Sequence, residues 1–260
     1  KPTIVKPTAP EQPKVENNNR LSNLGDYIDP LFFFNTKFAA YPEPKNGFPL
    51  INLAEYQKLF NLLIELYNNK HYSKVIDEVD LLLKKQLPAG ERIKLMFAKA
   101  DAFLADTKTA DAVATIESIK RFDAQNSFQT EILYYEALAL EQSSKFDDAL
   151  TNYLKIYKLN AQSSFADNAL FKISTIYFRN NDWQNALKYL DILTENYKNA
   201  DYIDDAYYLK AQILDAPNTP IRSYKLAEQN YRFLYNNYPR SQYAAAAQKR
   251  ADYIRANFLN

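Results

Sequence analysis

The sequence has no cysteine, only three glycines and a single histidine among its 260 residues. Without cysteine, the chain has no disulfide, no thiolate ligand for zinc and no cysteine nucleophile. Its glycines, Gly25, Gly47 and Gly90, lie too far apart to form a phosphate-binding loop. His71 has no second histidine or cysteine with which to bind zinc, and no serine and acid at catalytic spacing. We therefore interpret His71 as a solvated turn residue.

The sequence also lacks an excess of one charge and any long hydrophobic run. Lysine and arginine total 32 against 31 acids, so the charge favours neither nucleic acid nor an anionic membrane surface as a partner. The densest apolar run, LFFF, is far shorter than the roughly 18 residues that a membrane span needs. We predict no nucleic-acid partner and no transmembrane span.

Paired acids are the remaining candidates for catalysis. Asp147–Asp148 and Asp204–Asp205 are expected at helix starts, where carboxylates stabilise the positive end of the helix dipole. That structural role is sufficient to explain them. The sequence therefore predicts a protein that is not an enzyme and that has no catalytic residue, cofactor or metal.

The first 51 residues differ in composition from the rest. Residues 1–20 hold four prolines and no aromatic residue, and such a stretch cannot bury enough apolar surface to offset its ordering entropy. We expect a disordered, proline-rich tether there. Residues 21–51 combine many aromatics with prolines, which indicates an irregular segment. It is expected to pack on the first helices of the same chain or, alternatively, on a partner.

From about residue 52 the pattern is helical, and residues of similar size return every 37 positions. A small residue recurs at Val75, Ala112, Ala149 and Ala186, and then after 41 positions at Ala227. The longer last step coincides with the insertion DAPNTP. Four positions after each small residue a large one recurs, and the set is Val79, Ile116, Tyr153, Leu190 and Tyr231. A period of this length predicts stacked repeats, each too small to bury its apolar face alone.

Each repeat is predicted to be a helix, a short turn and a second helix, with the small residues where two helices approach closely. Trp183, three residues before Ala186, is then a packing residue. We predict an all-α fold: a right-handed α-solenoid of five helical hairpins plus a C-terminal capping helix. The solenoid covers residues 52–258, with hairpins at 53–89, 90–126, 127–163, 164–200 and 201–241 and the cap at 242–258.

This frame resembles the tetratricopeptide repeat, in which large, small and aromatic residues alternate at fixed positions of two helices. The family's usual period is about 34, and we assign the extra length here to longer turns between units. Sel1-like repeats are an alternative, but they depend on glycine. The resemblance implies a superhelix whose first helices face a concave groove.

A narrower resemblance lies near the end of the chain. Tyr238-Pro239-Arg240-Ser241, followed by a helix rich in alanine, is similar to repeats of bacterial envelope proteins. These are the BamD-type lipoproteins of outer-membrane protein assembly and the periplasmic coordinator of the Tol-Pal system. The earlier junctions depart from this motif. The resemblance implies a periplasmic location, with a lipid anchor upstream of residue 1. A generic bacterial repeat scaffold is the alternative.

One array indicates a binding surface. An aromatic residue recurs at steps of 37 on every predicted first helix. It lies three positions before a second recurring set on that helix, Leu63, Ala100, Ala137, Ser174 and Ala211. The resemblance places these rings in the groove, where rigid rings suit extended or helical peptide segments; alternatively, they pack between neighbouring helices. The candidate partner-binding residues are Phe60, Phe97, Tyr134, Phe171 and Tyr208, with Ile64 and Leu138 one turn on and Tyr67 and Phe178 after them.

The sequence thus predicts a non-catalytic scaffold or adaptor that binds other proteins. We expect it in the bacterial cell envelope, in outer-membrane protein assembly or in the organisation of an envelope complex. Alternatives are a cytoplasmic repeat scaffold or co-chaperone, a glycan-binding protein of the cell wall, or an enzyme whose site the sequence does not reveal. A clamp for a terminal carboxylate is disfavoured, because the groove positions carry aromatic and aliphatic residues.

Overall fold

The computed structural model describes residues 53–85, 87–163 and 165–259, with side chains from residue 58 onward. The predicted tether and the irregular segment lie outside these residues. Every regular element in the described ranges is an α-helix, which confirms the all-α prediction. The helices are α1 Leu53–Asn68, α2 Tyr72–Leu83, α3 Ala89–Ala105, α4 Thr109–Phe122, α5 Gln129–Gln142, α6 Phe146–Leu159, α7 Ala166–Arg179, α8 Trp183–Asn196, α9 Ile203–Asp215, α10 Tyr224–Asn237 and α11 Ala244–Phe258.

Each helix packs against the helix that follows it, from α1 on α2 through to α10 on α11. Contacts also join α3 to α5, which are first helices of successive pairs. Packing between consecutive helix pairs is the arrangement of an α-solenoid. The number of repeats and the right-handed superhelix stay predictions.

The repeating small residues lie where the helices meet. On the second helices, Val75, Ala112, Ala149, Ala186 and Ala227 are all completely buried. The large residues four positions later, from Val79 to Tyr231, are buried as well. This burial confirms that the register seen in the sequence is a packing register. The acid pairs also lie where they were expected, in the first turns of α6 and α9.

A left-handed residue closes the turn in each of the first four helix pairs. The φ angles of Lys70, Thr107, Ser144 and Asn181 are 59°, 58°, 59° and 58°. These residues lie 37 positions apart, like the helices they connect. Such a conformation costs a residue other than glycine roughly 1–2 kcal/mol, and each of these four turns bears that cost because none has glycine at this position.

Hydrogen bonds offset part of that cost. In the second pair, the Thr107 amide donates to the Leu104 carbonyl at 3.0 Å, and the Lys108 amide donates to the Phe103 carbonyl at 2.8 Å. The same two bonds recur in the other three turns. This is the Schellman pattern, which satisfies carbonyl groups at the end of a helix. The sharp turn brings the two helices of each pair side by side.

The fifth pair is connected differently, by residues 216–223. Ala216 is extended, with a ψ angle of 131°. The Thr219 hydroxyl donates to the Ile213 carbonyl at 3.0 Å, and the Ser223 amide donates to the Leu214 carbonyl at 2.9 Å. A threonine side chain therefore does part of what backbone amides do in the other turns. This longer loop accounts for the step of 41 residues.

Candidate functional site

Three positions on each first helix form what we name the first-helix stripe. They are separated by four and three residues, so they lie on one face of each helix. All the candidate partner-binding residues belong to it. The stripe comprises Phe60, Ile64 and Tyr67 on α1; Phe97, Asp101 and Leu104 on α3; Tyr134, Leu138 and Glu141 on α5; Phe171, Thr175 and Phe178 on α7; and Tyr208, Gln212 and Asp215 on α9.

Burial along the stripe is greatest in the middle of the array. In the middle, Phe97 and Phe171 are completely buried and Tyr134 and Leu138 are 4% exposed, while of the stripe residues on α1 only Tyr67, at 3%, is as deeply buried. The candidates that keep solvent-facing surface are Phe60, Ile64, Phe178 and Tyr208. The stripe is thus most accessible towards α1 and α9.

The stripe rings contact a second set of rings, each in the residue directly before the next first helix. Their ring centroids lie 4.3–6.1 Å apart. We name such a contact between one first helix and the start of the next a junction. The pairs are Phe97 with Phe128, Tyr134 with Phe165, Phe171 with Tyr202, and Tyr208 with Tyr243.

The second ring set carries the same sequence signal as the first. Phe128, Phe165, Tyr202 and Tyr243 follow one another at steps of 37, 37 and 41 residues, and sequence reasoning missed them. The packing alternative therefore accounts for these ring contacts. A role of the same rings in binding a partner stays a prediction.

Two junctions also contain an ion pair at equivalent positions. The Lys172 ammonium lies 3.0 Å from the Glu141 carboxylate, and the Arg250 guanidinium binds the Asp215 carboxylate at 2.5 and 2.8 Å. Lys172 and Arg250 occupy one repeat register, two steps apart. In the remaining junctions that register pairs uncharged residues: Tyr67 with Ala98, Leu104 with Tyr135, and Phe178 with Leu209. At each junction, therefore, the two residues in this register are either both charged or both uncharged.

The pair in the middle of the array is almost dry. The side chains of Lys172 and Glu141 are 1% and 8% exposed. Burial raises the pKa of Glu141, and the positive charges of Lys172 and Arg179 oppose that rise. Removing one partner of such a pair costs far more than removing both, since it leaves a buried charge.

Burial also displaces the pKa values of two aspartates upward. The pKa of Asp167, in the first turn of α7, is raised to about 6 by burial and then by the charge of Asp201. The pKa of Asp205 on α9 is also raised to about 6, by burial and by Asp204, while a hydrogen bond from the Tyr243 hydroxyl at 2.9 Å opposes the rise. Both groups titrate close to neutral pH.

Asn168 extends the stripe by one turn at the start of α7. It lies three residues before Phe171 and is 1% exposed. Neither its carboxamide nitrogen nor its carboxamide oxygen has a hydrogen-bond partner, although its backbone amide donates to Asp167. A buried polar group without a partner costs roughly 1–3 kcal/mol. Sequence reasoning did not single out this residue, because the register carries a different polar side chain in each repeat.

The described ranges contain few features that indicate another kind of site. His71 is exposed. Within residues 53–85, 87–163 and 165–259, no group of three or more histidines and acids is arranged to hold a metal ion. In the same part of the chain, no helix has the length and apolar character that crossing a bilayer requires.

Comparison with known proteins adds no family to this description. Neither the scan against family models nor the search of the curated proteins finds a match to the chain.

Proposed function

We propose that this protein is a non-catalytic scaffold or adaptor that binds segments of other proteins along its first-helix stripe. The observation that carries the proposal is the stripe itself, since each of five successive first helices carries an aromatic ring at the same position of one face. Rigid aromatic side chains give large contact area at low entropic cost, which suits peptide segments. Stacked helices that pack on consecutive neighbours provide a stiff support for such a surface.

The half-exposed ends of the stripe give the clearest test. A photo-crosslinking amino acid placed at Ile64 or Gln212 is expected to capture a partner in cells. The matched controls are Val113 and Leu81, which are 44% and 53% exposed and lie on second helices, away from the stripe. A captured protein is then purified, and its affinity for Ile64→Lys and Gln212→Lys is measured by calorimetry. We expect a loss of at least about tenfold.

Capture of the same proteins from both faces would contradict the proposal. So would a purified partner that binds the stripe variants and the unsubstituted chain with equal affinity.

For the location, we propose the bacterial cell envelope. The support is the resemblance of Tyr238-Pro239-Arg240-Ser241 and the following helix to repeats of envelope proteins. Fractionation of the native host, with the mass of the mature amino terminus, tests this. Recovery with the periplasm or the outer membrane is expected, and a lipidated amino terminus would define the anchor. Recovery from the cytoplasm alone would favour the cytoplasmic scaffold or co-chaperone instead.

One observation favours glycan binding as a second candidate function. The rings of Tyr207, Phe233 and Tyr238 form a cluster, with centroids 4.4–6.3 Å apart and Phe233 41% exposed. Exposed apolar clusters of this kind mark binding surfaces. Sedimentation with purified cell wall tests the idea, with Phe233→Ala as the variant and Leu81→Ala as its matched exposed control. Retention that survives Phe233→Ala would count against this surface.

A further inference from the structure

The middle of the stripe is deeply buried, in part by the junction contacts, in which Tyr202 stacks on Phe171 and Glu141 pairs with Lys172. Every residue from 168 to 176 of α7 is buried. The helices that pack along α7 are α6 and α8. A helix flanked by two neighbours keeps a third face, and that face normally carries exposed polar residues. On α7 the third face holds Asn168, Phe171 and Thr175, which are 1%, 0% and 7% exposed.

The polar groups on this face indicate what kind of cover it takes. A carboxamide offers the same donor and acceptor as a peptide bond. The carboxamide of Asn168 is buried and lacks a partner, so it is placed to pair with the main chain of a segment that lies across α7. Leu138 and Leu104, on the first helices before α7, add an apolar surface for the side chains of that segment.

We propose that residues 21–51 of this chain bind across the first-helix stripe from α3 to α7, as an intramolecular occupant. This inference rests on the proposed function, because it names the first ligand of the same surface. The segment leads directly into α1. Its 31 residues reach up to about 100 Å when extended, whereas four successive first helices spaced by about 10 Å span roughly 30 Å.

Composition singles out this segment from the rest of the chain before α1. Between residues 27 and 49 it holds seven aromatic residues, each of which buries roughly 150–250 Å² when it packs. Residues 1–20 hold none. Only the second segment therefore has the apolar surface to cover a stripe made of rings and leucines.

An occupant from the same chain would set the affinity that a foreign partner needs in order to bind the stripe. A tethered segment acts at an effective concentration in about the millimolar range. A partner must exceed that competition before it binds the middle of the stripe, while the ends at α1 and α9 stay accessible. The segment would thus act as a built-in competitor that makes the scaffold selective for tight-binding partners.

A single thiol reports occupancy of the stripe, because the chain has no cysteine of its own. In the full chain carrying Thr175→Cys, we expect slow reaction with a small thiol reagent. Adding F32S, F33S and F34S should accelerate the reaction at least tenfold. The matched control adds I4S, V5S and V15S and should leave the rate unchanged. A second variant, F38S with Y41S, should accelerate it as well.

Each outcome decides the proposal, and circular dichroism follows the fold throughout. Unchanged protection in both segment variants would overturn it, because the helices alone would then cover Thr175. Protection that falls on dilution would also overturn it, in favour of a second copy. Loss of helical signal in a segment variant but not in the control supports the proposal, because the segment stabilises the helices only while it is docked on them. Failure to find a foreign partner would contradict only the proposed function.

Discussion

The junction from α5 to α7 and the junction from α9 to α11 use the same positions in opposite surroundings. In the middle of the array the Glu141–Lys172 pair is almost dry, with side chains 8% and 1% exposed. At the last junction Asp215 is equally buried, but Arg250 is 29% exposed. The ring pairs follow the same trend, because Tyr134 and Phe165 are buried whereas Tyr208 and Tyr243 are half-buried.

Further polar contacts lie around the last junction. Glu228 on α10 accepts hydrogen bonds from Arg232 and from Arg255 of α11. The Tyr243 hydroxyl donates to Asp205. One register can therefore hold a buried ion pair or a partly solvated one. Arginine serves the solvated case, since its planar guanidinium binds a carboxylate with two hydrogen bonds.

The largest effect is expected from breaking the dry pair. Glu141→Leu leaves the Lys172 ammonium buried without its carboxylate and should lower the free energy of unfolding by roughly 3–5 kcal/mol. Urea denaturation followed by circular dichroism measures this. The matched control is the double variant Glu141→Leu with Lys172→Tyr, which copies Leu104 and Tyr135 of the junction before it. We expect it to recover most of the loss, and a double variant as unstable as the single one would contradict the pairing rule.

The solvated pair should be less costly to break. Asp215→Leu removes two charge-assisted hydrogen bonds, but Arg250 can turn towards water, so we expect a loss of roughly 1–2 kcal/mol. The same urea titration compares it directly with Glu141→Leu. A loss as large as that of Glu141→Leu would show that the two junctions do not differ in solvation.

Some of these contacts could be predicted from the sequence, and others could not. The packing register from Val75 to Ala227 was readable, because a buried small residue has the same physical role in every repeat. The junction rings at Phe128 and Phe165 carried an equally regular signal, but each lies one residue before a helix and was not singled out. The Glu141–Lys172 pair was harder to see, since its partners are 31 residues apart and their register is uncharged in three of the five junctions.

The position of the stripe could be predicted from the sequence, but its burial could not. Periodicity put Phe97 and Phe171 on one face of their helices, but a periodic face does not reveal what covers it. Phe171 stacks on Tyr202 at 4.8 Å, and that contact depends on how one first helix meets the next. Burial of the middle of the stripe is therefore a tertiary property, set by neighbours that local sequence spacing does not specify.

Acidification provides a milder test of both junctions. The folded chain binds protons on Asp167 and Asp205 at about pH 6, while an unfolded aspartate binds its proton near pH 4. Stability should therefore rise as the pH falls from 7 to 5, by about 1 kcal/mol after allowance for solvent screening. Urea titrations at both pH values measure the change. Asp205→Asn, which still accepts from Tyr243, should reduce the rise, whereas Asp252→Asn at an exposed site should not.

The smallest effect concerns the turns, which differ between the first four helix pairs and the fifth. Thr107 is a β-branched residue with a φ angle of 58°, a conformation that glycine adopts without strain. Thr107→Gly should therefore raise the free energy of unfolding by about 0.5–1 kcal/mol. Asn181→Gly is the matched control, with the same φ angle of 58°, and it should gain less because asparagine tolerates this region well.

In the fifth loop Thr219→Gly should be destabilising instead, because it removes the hydroxyl that binds the Ile213 carbonyl. Thermal melts of the three variants give the order, and a gain from Thr219→Gly would show that the fifth loop does not depend on that side chain.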